Sequence, residues 1–353
     1  MAAVTDVLER AAANVVETLR DSPDPIEVRG AGTHADVGNP VAGERVHAVS
    51  IPAGIVRYEA DDMTVTALAG TTVAELAATV GAAGQEVTLD PRSTDSTVGG
   101  VLAAGLSGLR RLRYGAVRDT VLEVRFVDGR GTLVKGGGPV VKNVTGYDVP
   151  RLLVGSLGTL GAIVQVTLRC RPRPVTRAWY RVECDDPEAL RLALFRPSAV
   201  LFDGRTTSVM LEGHAADLAD QVATAHLGDA LDGADGADGA DGSPALPDGP
   251  HRGRMSVPPN DAVTIGRELG TRVPGARWCA ELGIGTVHVA CDHEHELAAA
   301  RTVATDHGGW MLREAGAPSL DGYGLELPNR DLMARVKRAF DPDDRFAPGR
   351  MPL

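Results

Sequence analysis

Residues 26–35 read Ile26-Glu-Val-Arg-Gly-Ala-Gly-Thr-His-Ala35, a short strand that runs into a glycine-rich turn. Gly30, Gly32 and Ala35 satisfy the G-x-G-x-x-A spacing of a dinucleotide-binding turn. That motif also needs a helix to begin at its third small residue, because the helix N-terminus holds the pyrophosphate. The sequence continues Asp36-Val-Gly-Asn-Pro40, which does not permit a helix. The doubly wound nucleotide fold is therefore excluded, whereas a glycine loop whose exposed N–H groups bind an anion is retained.

Glycine is over-represented, with 42 in 353 residues, which is about 12% against a usual ~7%. Fourteen of the glycines lie between Gly99 and Gly161, in a region whose apolar alternation predicts strands. Glycine in such a region marks turns and places where backbone approaches another group closely. Seven more lie in or beside a Gly-Ala-Asp repeat at about 228–254, which has too few large apolar residues to fold and predicts a disordered acidic insertion.

Charge and cysteine usage exclude several classes of protein. Lys and Arg total 36 against 47 Asp and Glu, a net charge of −11, which argues against a nucleic acid or an anionic membrane as partner. The four cysteines form no C-x-x-C pair, so zinc, thioredoxin and iron–sulfur signatures are absent from the sequence. The first twenty residues predict an amphipathic helix rather than a signal peptide. We expect a cytoplasmic protein, with any contact to a membrane made through partner subunits.

The pattern of elements predicts two domains and a returning tail. Residues 1–174 alternate strands with helices and end in a proline-rich stretch. Residues 175–329 show a strand–helix–strand rhythm on both sides of the insertion, which predicts helices on an antiparallel sheet and hence an α+β fold. Residues 330–353 are predicted to form a last helix followed by a tail.

Two further glycine segments follow the first. One runs from Ser96-Thr-Val-Gly-Gly100 through Gly105-Leu-Ser-Gly108 to Tyr114-Gly115. The other runs from Lys142-Asn-Val-Thr-Gly-Tyr-Asp148 to Gly155-Ser-Leu-Gly-Thr-Leu-Gly-Ala-Ile163. A tight turn accounts for any one of these segments alone. Three of them, in order and within one domain, indicate a ligand instead.

In this order, the segments resemble the FAD-binding domain of the vanillyl-alcohol oxidase superfamily, of PCMH type, and in particular the FAD-binding subunits of bacterial glycolate oxidases. The tail Phe340-Asp-Pro through Phe346-Ala-Pro-Gly-Arg350 resembles the closing motif of that superfamily. The resemblance implies a PCMH-type FAD-binding domain of two α+β subdomains, with a smaller α+β cap domain built on an antiparallel sheet.

The resemblance also implies which residues hold FAD. Residues 30–34 would wrap the diphosphate with backbone amides, and 96–100 would continue that cradle. Residues 105–108 would approach the flavin, and 158–163 would hold the adenosine half. The full implied set is Arg29, Gly30, Ala31, Gly32, Thr33, His34, Ser96, Thr97, Gly99, Gly100, Gly105, Ser107, Gly108, Tyr114, Gly115, Gly158, Thr159, Leu160, Gly161 and Ile163. A diphosphate buried among few Lys or Arg residues needs such backbone and hydroxyl donors.

Several side chains have two open interpretations. Arg29 and Lys142 could add charge to the diphosphate site or could lie on the surface. Arg118 and Tyr147 are candidates to face the flavin, and no catalytic base is named.

The sequence departs from the family pattern in three places. Many relatives attach FAD covalently through a histidine where this chain has Thr33, and His34 is one position away, so we expect non-covalent FAD. Leu157 replaces an acidic residue of larger relatives, and Ala347 replaces an asparagine before the final Pro-Gly-Arg. None of these changes removes the backbone donors.

A metal site is not expected. His293 and His295 resemble metal ligands, but residues two apart at a helix start are expected to point to different faces. Some larger relatives that oxidise 2-hydroxy acids carry a metal-binding histidine set, which we do not find here.

The function that the resemblance implies is that of an FAD-dependent oxidoreductase subunit acting on CH–OH groups. It would oxidise a small 2-hydroxy acid such as glycolate or D-lactate, or relay electrons from a larger homologous flavoprotein subunit. That subunit and an iron–sulfur subunit would be its partners. The alternatives are a non-catalytic FAD-binding scaffold and a flavin-dependent reductase of cell-wall precursor synthesis.

Overall fold

The computed structural model describes residues 2–138, 147–231 and 242–353. The strands in these ranges are β1 (Ile26–Val28), β2 (His47–Val49), β3 (Ile55–Glu59), β4 (Thr64–Leu68), β5 (Gln85–Glu86), β6 (Val121–Val127), β7 (Leu133–Gly137), β8 (Ala162–Arg169), β9 (Arg171–Pro172), β10 (Thr176–Glu183), β11 (Ala199–Phe202), β12 (Thr206–Gly213), β13 (His251–Ser256), β14 (Arg277–Glu281), β15 (Thr286–Cys291) and β16 (Trp310–Ala315). The helices are α1 (Ala2–Asp21), α2 (Val73–Gly81), α3 (Val98–Ala104), α4 (Arg111–Tyr114), α5 (Val149–Leu153), α6 (Pro187–Ala193), α7 (Ala215–Ala225), α8 (Ala262–Arg272), α9 (Glu294–Asp306) and α10 (Arg330–Phe340). Within the described part of the chain, no helix combines the length and apolar character needed to span a bilayer.

The chain divides into two compact units. The first unit comprises Met1–Gly108, Ala116–Arg173 and Glu326–Leu353, and the second comprises Leu109–Gly115 and Pro174–Leu325. Each unit has its own buried core. Both combine helices with largely antiparallel sheets, so the predicted α+β class is confirmed.

The first unit is built around a five-stranded antiparallel sheet in the order β3-β4-β8-β6-β7. Residues 162–168 of β8, its central strand, are all buried, and both α1 and α3 pack on this strand. Helix α1 places Leu8, Ala12 and Val15 in this core because residues three and four apart share one helix face. A separate parallel pair, β1 and β2, leads into the first glycine loop.

The C-terminal tail packs against β1. The Ile26 amide donates to the carbonyl of Arg345 at 2.7 Å, and the Ala347 amide donates to the carbonyl of Ile26 at 2.8 Å. Asp341 accepts from the backbone amide of Phe346 at 2.7 Å and from the ammonium group of Lys337. The tail is thereby held parallel to β1, beside the strand from which the first glycine loop emerges.

The second unit is a seven-stranded antiparallel sheet in the order β10-β12-β11-β14-β15-β13-β16. Helices α8 and α9 contact its central strands. Along β15, Val287, Val289 and Cys291 enter the main core of the unit. Because strand side chains alternate between faces, Thr286, His288 and Ala290 point to the opposite face.

The structure differs from the predicted limits of the acidic insertion. Residues 232–241 of that insertion lie outside the described residues, but residues 251–254 belong to β13, which pairs with β15 and β16. Gly253, which suggests a loop in the sequence, lies within β13 against the side chain of Met311, whose Sδ would be 2.6 Å from an added Cβ. The sequence patterns also assign no element to residues 262–281, which contain α8 and β14.

A buried carboxylate attaches residues 109–115 to the second unit. The side chain of Glu212 is fully buried and accepts from the Tyr114 hydroxyl at 2.7 Å, the Ser198 hydroxyl at 2.6 Å and Nε of Arg177 at 2.6 Å. Burial alone would raise the pKa of Glu212, but these hydrogen bonds and the charges of Arg110 and Arg177 outweigh it and hold the pKa below its ordinary value.

Replacing Glu212 with glutamine should therefore destabilise the second unit strongly. The amide cannot balance the two guanidinium charges, and breaking a buried ion pair costs roughly 3–5 kcal/mol. All three tryptophans lie in the second unit, so denaturant unfolding followed by tryptophan fluorescence reports on this unit selectively. The control is E183Q, which removes a solvent-exposed pair with Arg205 and should cost no more than about 1 kcal/mol. Equal destabilisation by both variants would contradict this role for Glu212.

Candidate functional site

Three glycine segments of the first unit meet in one groove. The first follows β1, the second begins α3, and the third is the turn that precedes β8. The groove encloses about 890 Å³, counting the part open to solvent. Of the residues predicted to hold FAD, the groove is lined by Arg29, Gly30, Ala31, Gly32, Thr33, His34, Thr97, Gly99, Gly100, Gly158, Gly161 and Ile163.

The first loop presents unused backbone donors. The N–H groups of residues 30–33 donate no hydrogen bond to any described residue. The loop is held instead at its ends, where the Arg29 amide donates to the carbonyl of Val49 at 2.8 Å and the Ala35 amide donates to the carbonyl of Gly32 at 3.1 Å. Gly32 has a φ of +77° and open space beside its α-carbon. Successive free N–H groups of this kind can bind an anion.

The second segment contributes shape rather than donors. The Gly99 amide already donates to the carbonyl of Ala69 at 2.8 Å, and the Gly100 amide donates to Oγ1 of Thr97 at 3.2 Å, which caps α3. An added Cβ on Gly30 would lie 2.1 Å from Oγ1 of Thr97. Gly30 therefore allows the first loop to lie directly against the start of α3.

The third segment is a tight turn with two consecutive left-handed residues, Leu157 at φ +52° and Gly158 at φ +74°. The Leu157 amide donates to the carbonyl of Ala103 at 2.8 Å, which ties the turn to α3. The α-carbon of Gly158 has no neighbour within 4 Å of an added Cβ. Thr159 and Leu160 are buried instead of lining the groove. The turn thus adds a second stretch of open backbone.

Charged groups at the base of the groove come from both ends of the chain. Nη1 of Arg350 donates to Glu27 at 2.7 Å, and Nε of Arg29 donates to the other oxygen of Glu27 at 2.7 Å. Two guanidinium groups and one carboxylate leave one positive charge beside the free amides. Glu27 and Arg350 are not among the residues that the sequence predicts for this site; the signal for Arg350 is its place in the closing motif.

Other predicted residues support the groove without lining it. The Ser96 hydroxyl bonds to the Thr33 hydroxyl at 2.8 Å. Gly105 has a left-handed backbone and lies against Gly155, where an added Cβ would come within 2.6 Å of the Gly155 α-carbon. The Ser107 hydroxyl accepts from the amide of Val117 at 3.0 Å, so its contact is structural.

The remaining predicted residues lie elsewhere. Gly108 packs against Asp90, and Tyr114 and Gly115 belong to the second unit. Tyr147 is 93% exposed, and Arg118 is also exposed. The Lys142 segment, residues 142–146, lies outside the described residues.

The two histidines at the start of α9 are not arranged as expected. The rings of His293 and His295 stack with their centroids 5.6 Å apart, so the prediction that they point to different faces is wrong. The reason is that His293 precedes the helix with an extended backbone, φ −126° and ψ 144°. Among the residues that the structure places, no three His, Cys, Asp or Glu side chains are grouped so as to hold a metal ion.

The second unit contains a buried ionisable cluster on the sheet face opposite Val287 and Val289. Nε2 of His288 lies 2.8 Å from Oε1 of Glu281, and Nη2 of Arg254 donates to the same oxygen at 3.3 Å. Oε2 of Glu281 has no hydrogen-bond partner among the described residues. Burial lowers the pKa of His288, and the hydrogen bond with Glu281 opposes this only in part.

Comparison with known proteins assigns a cofactor to the first unit. Residues 8–137 match the family described as FAD binding domain. The chain is 38% identical over 168 residues to glycolate oxidase subunit GlcE of Escherichia coli K12, covering 47% of this chain and 48% of that protein. It is 34% identical over 155 residues to glycolate oxidase subunit GlcD of Bacillus subtilis 168, covering 43% of this chain and 33% of that protein. The D-lactate dehydrogenase of Archaeoglobus fulgidus is 32% identical over 159 residues, covering 45% of this chain and 36% of that protein. The match thus spans about half the length of these relatives or less.

A solved structure has a similar fold. An alkyldihydroxyacetonephosphate synthase superposes with a TM-score of 0.68 over 97% of this chain and 74% of that chain, at 15% sequence identity. At this identity, the similarity establishes the fold alone.

Replacing Gly30 with alanine should weaken FAD binding about tenfold, because the new Cβ displaces Thr97 and the start of α3. T97A alone loses only the helix cap, worth about 1 kcal/mol. In the double variant the contacts with the Thr97 hydroxyl and methyl groups are gone and only the Cβ of residue 97 remains close, at 3.1 Å, so the loss of affinity should be smaller than the sum of the two single losses. The measurement is the FAD dissociation constant from flavin fluorescence. G84A, at a left-handed glycine with nothing within 4 Å of an added Cβ, serves as the control and should leave that constant unchanged. If the loss of FAD affinity in the double variant equalled the sum of the losses in G30A and T97A, the result would count against a Gly30–Thr97 contact.

Acid should destabilise the second unit through His288. Because the folded pKa is lowered from 6.5, the stability provided by the neutral ring is complete above that pH and is lost as the pH falls through 6.5 toward the folded value. The variant H288Q keeps a donor for Glu281 but does not titrate. Its melting temperature, followed by tryptophan fluorescence, should therefore fall less than that of the wild type between about pH 7.5 and 5.5. The exposed His295 provides the control, since H295Q should retain the wild-type pH profile. The same pH profile in H288Q and the wild type would contradict a titrating His288.

Proposed function

We propose that this chain, which carries an FAD-binding domain of PCMH type, is a subunit of an FAD-dependent oxidoreductase that acts on the CH–OH group of a small 2-hydroxy acid such as glycolate or D-lactate. FAD, when bound, supplies the acceptor for the two electrons of such an oxidation. The residues of the chain bind and orient that cofactor. The similarity to two glycolate oxidase subunits and a D-lactate dehydrogenase supports the substrate class.

The observation that carries this proposal is the groove where free amides, open glycines and a net positive charge meet. A diphosphate binds best to hydrogen-bond donors that are not already bonded within the protein. The N–H groups of residues 30–33 are such donors. The open α-carbons of Gly32 and Gly158 allow a ligand to approach the backbone.

We assign residues 30–34 to the diphosphate and the turn around Gly158 to another part of the cofactor. We expect non-covalent FAD because Thr33 stands where many relatives have the attaching histidine; its hydroxyl bonds to Ser96 at 2.8 Å and to Nδ1 of His34 at 3.0 Å. We assign cofactor binding to residues 1–174 with the tail at 330–353. Substrate binding or subunit contact is assigned to residues 175–329.

We further propose that the chain works in a complex with a larger homologous flavoprotein subunit and an iron–sulfur subunit, because the electrons must pass to an acceptor. The word subunit in the names of two relatives supports a multi-subunit assembly. We propose a cytoplasmic location, with any membrane contact made by the partners. Its support is that none of the four cysteines forms a disulfide, as is usual in a reducing compartment.

The purified protein should be yellow, and acid precipitation should release FAD into the supernatant, as expected for a non-covalent cofactor. Anaerobic glycolate or D-lactate should bleach the flavin absorbance, because substrate oxidation reduces the cofactor. A protein that stays colourless after incubation with FAD would overturn the proposal.

The same experiment separates the rival functions. Bleaching by these acids only in the presence of the larger homologous subunit would identify electron relay. Bleaching by NADPH, with reoxidation by a cell-wall precursor, would identify the reductase. Bound FAD that no reductant of this set bleaches, with or without the partner, would identify a scaffold.

A further inference from the structure

We propose that Arg350 is a cofactor-positioning residue, and that docking of the C-terminal tail on β1 and binding of the cofactor diphosphate form one coupled equilibrium. The inference depends on the proposed function only in placing the FAD diphosphate at residues 30–34. It does not depend on which substrate is oxidised.

Arg350 is buried and holds the end of the first glycine loop. Only 7% of the residue is exposed. Its Nη2 donates to the carbonyl of Ala35 at 2.6 Å and to that of His34 at 3.2 Å, while Nη1 donates to Glu27 at 2.7 Å. Its Nε has no hydrogen-bond partner among the described residues, although Arg350 lines the groove. A buried donor without an acceptor is costly, so an anion in the groove would provide the partner that the protein does not.

These contacts also determine which way the peptide groups of the loop face. A backbone loop binds an anion only if its N–H groups face the ligand and its carbonyls face away. Arg350 donates to the carbonyls of His34 and Ala35, which directly follow the free N–H groups of residues 30–33. The carboxylate of Glu27 offsets part of the positive charge that Arg350 adds. Arg29, the second partner of Glu27, lines the groove with a side chain that is 60% exposed.

Arg350 reaches the groove because the tail is docked along β1. Besides the contacts of Ile26, the Ala42 amide donates to the carbonyl of Pro348 at 2.7 Å, and the Asn39 amide donates to the carbonyl of Arg350 at 3.1 Å. Ala347 and Arg350 form part of the groove wall. If the diphosphate binds better when the tail is docked, linkage requires that the tail also docks better when the diphosphate is bound, by the same factor.

Arg345 provides a matched control in the same tail. Its side chain donates to the carbonyls of Ser22 at 2.6 Å and Asp24 at 3.0 Å, and it does not line the groove. Arg345 and Arg350 therefore both attach the tail through guanidinium bonds to carbonyls. Only Arg350 contacts the glycine loop.

The experiment measures FAD and ADP affinity by fluorescence and calorimetry in full-length R350A, R350K and R345A. We expect R350A to lower both affinities roughly 10- to 100-fold, because a charge-assisted hydrogen bond and the loop geometry are lost together. R350K keeps the charge but not the forked contacts, so it should lose about tenfold and, being the milder change, serves as the test if R350A does not fold. R345A keeps the backbone bonds that dock the tail on β1, so the tail should stay almost fully docked; the variant should lower the melting temperature while changing FAD affinity less than about threefold. Adenosine, which lacks the phosphates, should bind the wild type and R350A equally.

Hydrogen exchange of residues 345–353 supplies a second readout. FAD should slow exchange there in the wild type and much less in R350A, because the coupling acts through Arg350. Unchanged FAD and ADP affinities in R350A or R350K would overturn the proposal, as would a wild type that binds neither. If R350A binds FAD more weakly but no 2-hydroxy acid bleaches the flavin of the wild type, the positioning role is supported and the proposed activity is not.

Discussion

The pairing of the C-terminal tail with β1 is the constraint on which the cofactor groove depends. Glu27 and Arg350 are 323 positions apart in the chain, yet they share a hydrogen bond of 2.7 Å beneath the first glycine loop. Strand β1 is bonded to β2 on one side, and Ile26 is bonded to the tail on the other. A loop that leaves four amides unpaired is stabilised little by its own hydrogen bonds, so the strand from which it emerges must be fixed by other contacts. The tail supplies those contacts.

Glycine has three different uses in this groove. Gly32 and Gly158 keep space open beside the backbone, so a ligand can approach it. Gly30 and Gly99 let segments of the protein itself lie in contact, since an added Cβ would come within 2.1 Å of Thr97 and 2.7 Å of Ala69. Gly105 ends α3 in a left-handed conformation. The high glycine content of the sequence is therefore a requirement of both packing and binding, and the two cannot be told apart from composition.

What could be predicted from the sequence follows from how local each signal is. Helix α10 was predicted at Arg330–Phe340 because its apolar period is contained in eleven residues. The convergence of the glycine segments was predicted because their order is characteristic of a family. The contact between Glu27 and Arg350 could not be predicted, because no local pattern reports a pairing between the two ends of a chain. Strand β13 was missed because its pairing with β15 and β16 overrides a glycine- and arginine-rich sequence that is typical of a loop.

The buried charges of the chain also show how a structural network differs from a site. Glu212 accepts from a tyrosine, a serine and arginines, and its contacts account fully for its position. Arg350 is equally buried but keeps one donor unused where it borders a groove. An unused hydrogen-bond donor alone does not indicate a ligand site. Nε of Arg301 also lacks a partner among the described residues, but Arg301 does not line this groove. A buried charge indicates a ligand when it combines an unused bond with a neighbouring space that the ligand can fill. In the first unit Arg350 meets both conditions, and the free amides of residues 30–33 border the same groove.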